Sequence, residues 1–252
     1  MADASTAEFR NVYDDARRAR TYAKLEFPGT YYLAYRDLPK IIEAHVRGRR
    51  ALDFGCGAGR STRFLRALGF EAVGVDVARD MIRIAEERDP GGDYRLIREG
   101  DFEDLEAGAY NLVLSAFTFD SIAGMDNKVS TLRRLRGLLA TDGCIVSIVS
   151  APEIYVNEWA SFSTRAYPEN RWAKSGDRVR IVITATEDPR PVEDIVWSDE
   201  AYHATYAAAG LTSVETLRPL AVGSEPYAWV NETRIAPWVI YVLKKLDGSR
   251  AR

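Results

Sequence analysis

Between residues 50 and 150, short apolar runs alternate with stretches whose apolar residues recur every three to four positions. Runs of the first kind suit strands buried on both faces, and stretches of the second kind suit the helices that cover them. Strands are predicted at residues 51–54, 72–75, 94–97, 110–116 and 144–149. Helices are predicted at 61–68, stopped by Gly69, around Met81, Ile82 and Ala85, and at 129–139 with Leu132, Leu135, Leu138 and Leu139 on one face. Ahead of this core, Phe9, Val12, Tyr13, Ala16 and Ala19 keep helical spacing, as do Leu38, Ile41, Ile42 and His45 after the Pro28-Gly29 break.

After Ser150 the rhythm breaks, and residues 151–197 are aromatic, polar and interrupted by proline. Ser198 then caps a helix that ends at Gly210, and strands are predicted at 213–220 and 236–243. The second of these runs from Trp238 to Leu243 without a polar residue, the pattern of a strand buried on both faces. The fold class expected is α/β, a Rossmann-like seven-stranded sheet. Its parts are a helical lid at 1–49, a core at 50–150, a substrate cap at 151–197, and the rest of the sheet at 198–252.

Composition narrows the function more than the fold. The 252 residues are 46% hydrophobic and 28% charged, enough to bury one full core. No apolar stretch nears the roughly 20 residues that cross a bilayer, and the N-terminus lacks the basic start and apolar middle of a signal peptide, so the expected location is the cytoplasm. Net charge is −3, and the basic groups at Arg17, Arg18, Arg20 and at Arg47, Arg49, Arg50 are short. A nucleic-acid partner, which needs a broad basic face, is therefore not expected. Cys56 and Cys144 both fall in segments read as buried and are expected to be free thiols, with no disulfide framework and no metal site. Oligomeric state is left open.

The segment ALDFGCGAGRST carries the chemistry: Asp53 within the first strand, then Gly55, Gly57 and Gly59 in the turn that opens a helix. Such glycines let a ligand touch the backbone, and the helix N-terminal amides attract polar or negative ligand groups. The spacing departs from the GxGxxG of dinucleotide sites, because the third glycine comes one residue early and Arg60 takes the place kept for close helix packing. Asp53 would be an awkward neighbour for a pyrophosphate, whereas a cofactor bearing an ammonium and a sulfonium suits acids near the strand ends.

With VGVDVARDMI and EGDFEDL following it, this turn resembles motif I and its successors in the class I S-adenosylmethionine-dependent methyltransferases, over about residues 50–150. The resemblance implies S-adenosyl-L-methionine as cofactor, strand order 3-2-1-4-5-7-6 with the seventh strand antiparallel, Asp76 on the ribose hydroxyls with Val77 beside the adenine, and Asp101 and Phe102 at the adenine. Cys56, Met81 and Ser115 complete the expected cofactor contacts. The closing EPYAWVNETRIAPWVIYVLKK is also similar to small-molecule members of that family. Family members often bring a tyrosine from the N-terminal helices over the cofactor, which implies Tyr13, set at the reacting centre, and Tyr22.

Methyl transfer from a sulfonium chiefly needs the acceptor aligned and desolvated. Residues 115–120 follow the fourth strand at the ligand-binding edge of the sheet, so Asp120 is the candidate to orient an amine or take a proton, or else it caps the next turn. Phe117, Phe119, Tyr31, Tyr155, Trp159, Tyr227 and Trp229 are the expected acceptor walls, aromatic faces suited to a sulfonium and a planar substrate. Glu158, Glu225, Asn231 and Glu232 are read either as a polar share of that wall or as solvated surface. His45 and His203 sit on helical faces and are read as structural. The function expected is methyl transfer to a small-molecule N, O or C nucleophile. The alternatives are another outcome with the same cofactor, such as intramolecular cyclisation, a nicotinamide-dependent oxidoreductase, which Arg60 opposes, or a binding protein without chemistry.

Overall fold

The computed structural model describes residues 16–98 and 101–246. Seven strands form one sheet: β1 (Arg50–Phe54), β2 (Glu71–Asp76), β3 (Asp93–Leu96), β4 (Tyr110–Ala116), β5 (Leu139–Ser150), β9 (Leu211–Leu217) and β10 (Trp238–Lys245). Their order is β3-β2-β1-β4-β5-β10-β9. The first five run parallel, and β10 is antiparallel to both of its neighbours, so the expected 3-2-1-4-5-7-6 order is observed. Strand β10 can sit inside the sheet because Trp238 to Leu243 are all buried, with odd and even positions feeding opposite faces.

Those two faces carry separate cores. On one, Leu112, Val146, Ile148 and Ile240 pack against α2 (Thr30–Arg36), α3 (Leu38–His45) and α4 (Arg60–Ala67). On the other, Val113, Ile145, Val239 and Leu243 meet α6 (Met125–Leu138) and α7 (Asp199–Ala208). Helix α1 (Ala16–Ala23) lies on α5 (Arg79–Arg88), with Ala19 and Ala23 against Met81 and Ile84. Cys56 and Cys144 are buried and free.

Several boundaries differ from the hydrophobic pattern, each for a local reason. Helix α6 starts four residues before Val129, since Asp126, Asn127 and Lys128 of its first turn are polar and show no apolar period. Strand β9 stops at Leu217 and β10 starts at Trp238, because Pro219 and Pro237 have no N–H to give a ladder. Helix α2 is an extra element, apolar almost all round, with Tyr31, Leu33, Ala34 and Tyr35 all buried.

The segment at 151–197 is more regular than its composition suggests. It folds as a three-stranded antiparallel sheet, β6 (Phe162–Ser163), β7 (Arg178–Ile183) and β8 (Val192–Ile195), in the order β6-β7-β8. Val179, Ile181 and Ile183 alternate with more exposed residues and turn inward onto the first core. Among the described residues, no helix is long and apolar enough to cross a membrane.

Candidate active site

The parallel strands β1, β2 and β4 end on one edge of the sheet, where the inserted sheet and α1 overhang them. A cavity of about 410 Å³ lies there, lined from the core by Gly55, Gly57, Asp76, Phe117 and Asp120 and from the insertion by Tyr155, Ile181 and Asp194. Open α/β sheets bind ligands at this edge because the chain diverges there and leaves backbone groups free.

The glycine loop is held from beneath and bare on top. Gly55 and Cys56 both donate their N–H to the Val75 carbonyl, at 2.9 and 3.0 Å. A side chain at Gly55 is excluded, because its Cβ would fall 2.1 Å from Thr118 Oγ1, whose hydroxyl donates to the Phe54 carbonyl. At Gly57 the reverse holds. Its φ is +52°, and a Cβ would meet nothing within 4 Å, so the loop presents naked backbone to open space. Asp76 fixes that geometry: one carboxylate oxygen accepts from Gly57 N and the other from Ala78 N, both at 2.8 Å.

These features fit a nucleoside cofactor. Asp76 lines the cavity while its carboxylate is already set by two amides, and an ionised carboxylate has lone pairs left for two hydroxyls. Val77 and Met81 line the cavity beside it, and Tyr22 of α1 reaches the same wall.

Other expected cofactor contacts lie elsewhere. Asp53 is fully buried below the loop, where one oxygen accepts from Ser61 and Thr62 hydroxyls at 2.6 Å each and the other has no partner. Burial lifts its carboxyl to about 6 against the two hydroxyl bonds. It staples the loop to α4 and does not face the cavity. Cys56 turns its sulfur away to pack with Ile82, Ala85 and Tyr94. Ser115 is wholly buried within β4. Asp101 closes a local turn by accepting from Glu103 N at 3.1 Å, and Phe102 packs on Phe54 with ring centres 5.8 Å apart; Ile97 lines the cavity in their stead. Tyr13 lies outside the described residues.

The far end of the cavity is aromatic. Phe117 has φ +67°, the one left-handed residue other than glycine among the described residues. That backbone costs about 1–2 kcal/mol, and it aims the ring from the end of β4 at Trp238 (4.6 Å) and Tyr31 (5.7 Å). Tyr31, Phe117, Tyr155 and Trp238 line the cavity. Phe119, Trp159, Tyr227 and Trp229 do not. Phe119 is buried against Phe54, Trp159 donates its indole N–H to the Ile154 carbonyl, and Tyr227 and Trp229 pack on each other beside Tyr32.

The expected polar wall is also reassigned. Glu232 is fully buried, where it accepts from Thr30 Oγ1 and Ala160 N at 2.7 Å and from Val230 N at 2.8 Å. It ties α2, the insertion and the C-terminal loop together. Glu225 accepts from Val222 N, Gly223 N, Trp229 Nε1 and Arg36. Glu158 accepts from Ser163 Oγ and from Thr164 N and Oγ1, while Asn231 donates to the Glu158 carbonyl. His45 pairs with Glu215 at 2.6 Å, and His203 lies 3.8 Å from Asp199, so neither ring belongs to the cavity wall.

Asp120 does line the cavity, yet its carboxylate is occupied: Ser150 N and Oγ donate at 3.0 and 2.8 Å, and Tyr202 OH at 3.2 Å. It locks the end of β5 and helix α7 to the turn after β4. Burial lifts its carboxyl to about 6, opposed by the Ser150 hydroxyl and by Lys128. Asp194, on β8, was not anticipated. It sits on the cavity wall, and Tyr155 OH donates to its Oδ2 at 3.1 Å. The signal was available in the strand alternation: Asp194 falls on the same face as Val192 and Val196, an acid in an otherwise apolar row.

Residues 52–145 match the family model for a methyltransferase domain. The ubiquinone biosynthesis O-methyltransferase of Methylococcus capsulatus is 31% identical over 102 residues, 38% of this chain and 43% of that protein. The cypemycin N-terminal methyltransferase of a Streptomyces species is 29% identical over 143 residues, 56% of each chain. The match thus spans about half or less of the length of these relatives. Among solved structures, the CcbJ methyltransferase of Streptomyces caelestis superposes with a TM-score of 0.62 at 17% identity, covering 88% of this chain and all of that one. The S-adenosylmethionine-dependent methyltransferase of Mesorhizobium loti gives 0.60 at 16%, covering 84% and 98%. At such identities the likeness is one of fold.

Proposed function

We propose that this chain, a member of the class I S-adenosylmethionine-dependent methyltransferases by its methyltransferase domain and strand order, methylates a small molecule held between the glycine loop and the inserted sheet. One observation carries the reading: a single cavity joins the bare backbone at Gly57 and the carboxylate of Asp76 to a wall of Tyr31, Phe117, Tyr155 and Trp238. When bound, S-adenosylmethionine supplies a methyl carbon on a cationic sulfur that departs as a neutral thioether.

The protein's share is binding, alignment and exclusion of water. Asp76 takes the ribose hydroxyls, Gly55 and Gly57 admit the cofactor to the backbone, and Val77 and Met81 flank its base. Tyr22 offers a ring face to positive charge, an attraction of about 0.5–2 kcal/mol. Residues 16–49 and residues 151–197 act together as the lid. Arg18 of α1 supports this role by donating to the Pro191 carbonyl of the inserted sheet at 2.7 Å, which closes the cavity from two parts of the chain. With Ser150 and Tyr202 on its oxygens, Asp120 serves as a positioning residue and not as the proton acceptor assigned to it from its place in the sequence.

Calorimetry with S-adenosylhomocysteine tests the reading. One molecule is expected to bind per chain, with affinity lost in Asp76→Ala; a protein that binds none, or binds equally well without Asp76, has another function.

A further inference from the structure

We infer that Asp194 anchors a positively charged nitrogen of the acceptor, so that the substrate class is the amines. The reacting carbon in this inference rests on the methyl-transfer reading above; the recognition of the amine does not. Two features set Asp194 apart from every other carboxylate of the site. The first is an open valence. Both oxygens of Asp76 and of Asp120 accept hydrogen bonds. Asp194 accepts only from Tyr155 OH, at Oδ2, and its Oδ1 has no hydrogen-bond partner among the described residues. Asp194 is only half-buried, and the surface it keeps lines the cavity. A carboxylate that shares a cavity wall with Ile181, Val192, Phe162 and Trp238 is costly unless something satisfies it.

The second feature is charge. Asp120 and Asp194 both reach the cavity, and the ammonium that influences both is Lys128. That lysine is fully buried, donates to the Phe119 carbonyl and lies 5.0 Å from the Trp197 ring, so it is spent behind the wall. Arg60, on the far side of Tyr31, is likewise turned to the carbonyls of Leu25 and Glu26. Lys128 is the counter-charge of Asp120, so Asp194 has no cation of its own, and an ammonium that enters the cavity supplies one by drawing the carboxyl into its ionised form. The faces of Tyr31, Phe117 and Trp238 add the attraction of aromatic rings for positive charge. A carboxylate ligand would be repelled by that ionised form, and a neutral alcohol would not stabilise it.

The same group suits the chemistry. Burial and the neighbouring Asp120 push the Asp194 carboxyl up to about 8, close to the working range of a proton acceptor. An ammonium held at Oδ1 passes a proton to Asp194. The freed nitrogen lone pair forms the new N–C bond, the electron pair of the broken C–S bond stays on sulfur, and the product leaves as a methylammonium.

The test compares phenethylamine, 2-phenylethanol and phenylacetate by calorimetry, with and without saturating S-adenosylhomocysteine. The amine is expected to bind at least about tenfold tighter than the alcohol, with the acid weakest. In Asp194→Asn the amine should fall to the level of the alcohol while S-adenosylhomocysteine binds as in wild type. Should that variant lose S-adenosylhomocysteine as well, Tyr155→Phe carries the test, with amine affinity lowered severalfold and alcohol affinity unchanged. An alcohol or acid that matches the amine, absence of amine binding, or an amine preference that survives Asp194→Asn overturns the inference. An amine preference without any S-adenosylhomocysteine binding overturns methyl transfer and leaves the amine site standing.

Discussion

Replacing Asp120 with alanine separates a positioning role from a chemical one. The substitution strands Ser150 N–H, Ser150 Oγ–H and Tyr202 O–H, all buried donors that now bond one carboxylate. The two hydroxyls can rotate towards other acceptors, but the Ser150 amide cannot, and a buried unsatisfied donor costs about 1–3 kcal/mol. Lys128 also loses its nearest counter-charge while it remains fully buried, and breaking a buried pair costs about 3–5 kcal/mol when the partner stays charged. Lys128 can relieve part of that by losing its proton, since burial already lowers it to about 8. The net loss is therefore set near the middle, about 4 kcal/mol, or roughly a thousandfold in the folding equilibrium. Urea unfolding at pH 7 measures it, and melting should fall by roughly 10 °C for a chain of this size. Asp120→Asn, which keeps one acceptor oxygen, should lose clearly less. A loss under about 0.5 kcal/mol for the alanine variant would refute the hub and return Asp120 to the list of proton acceptors.

Three further outcomes follow from the geometry. Gly57→Val should cost only about 1–2 kcal/mol of stability, the strain of a left-handed β-branched residue, because its Cβ meets no protein atom; S-adenosylhomocysteine affinity should nevertheless collapse, and calorimetry showing wild-type binding would mean the ligand does not touch this loop. Burial lifts Asp53 and Asp120 to about 6 and Asp194 to about 8, so each stabilises the fold fully below the unfolded value of about 4 and loses that contribution as pH rises through its folded value. The unfolding free energy of wild type minus that of Asp194→Asn should then decline from pH 4 to pH 8 in urea titrations, and a difference that climbs with pH would reverse the assignment. Arg18→Ala removes the bond to the Pro191 carbonyl and should speed S-adenosylhomocysteine release in stopped-flow fluorescence without changing the melting temperature by more than about 2 °C; an unchanged release rate would show that α1 is no part of the lid.

The order of the sheet was legible in the sequence because β4, β10 and the second half of β5 are largely apolar runs of strand length, while α4, α5 and most of α6 keep a helical period between strands. That Gly55, Gly57 and Asp76 meet at one cavity was legible for a different reason, since a sharp loop after one strand and an acid at the end of its parallel neighbour share the same edge of the sheet. Distinctions among acids were not. Asp53, Asp76, Asp101, Asp120 and Asp194 differ in which donors surround them, and those donors come from distant parts of the chain: Ser61 and Thr62 for Asp53, Ser150 and Tyr202 for Asp120. Trp159 and Trp229 were misplaced on similar grounds, because an aromatic ring in a variable segment satisfies a pocket wall and a local core equally well. Asp194 shows the converse case. Reading Arg178 to Ile183 as an alternating strand would have paired it with residues 192–195 and shown an acid on the inward face.

The inserted sheet leaves the main sheet after Ser150 and returns at Ser198, two points held together by Asp120 and the start of α7. Entry and exit are thus neighbours, and the strands of the parent sheet keep their register whatever lies between them. Residues 151–197 hang on the main sheet at adjoining points, and a third tie comes from the amides that Ala160 and Ser161 give to Glu232 and Thr30.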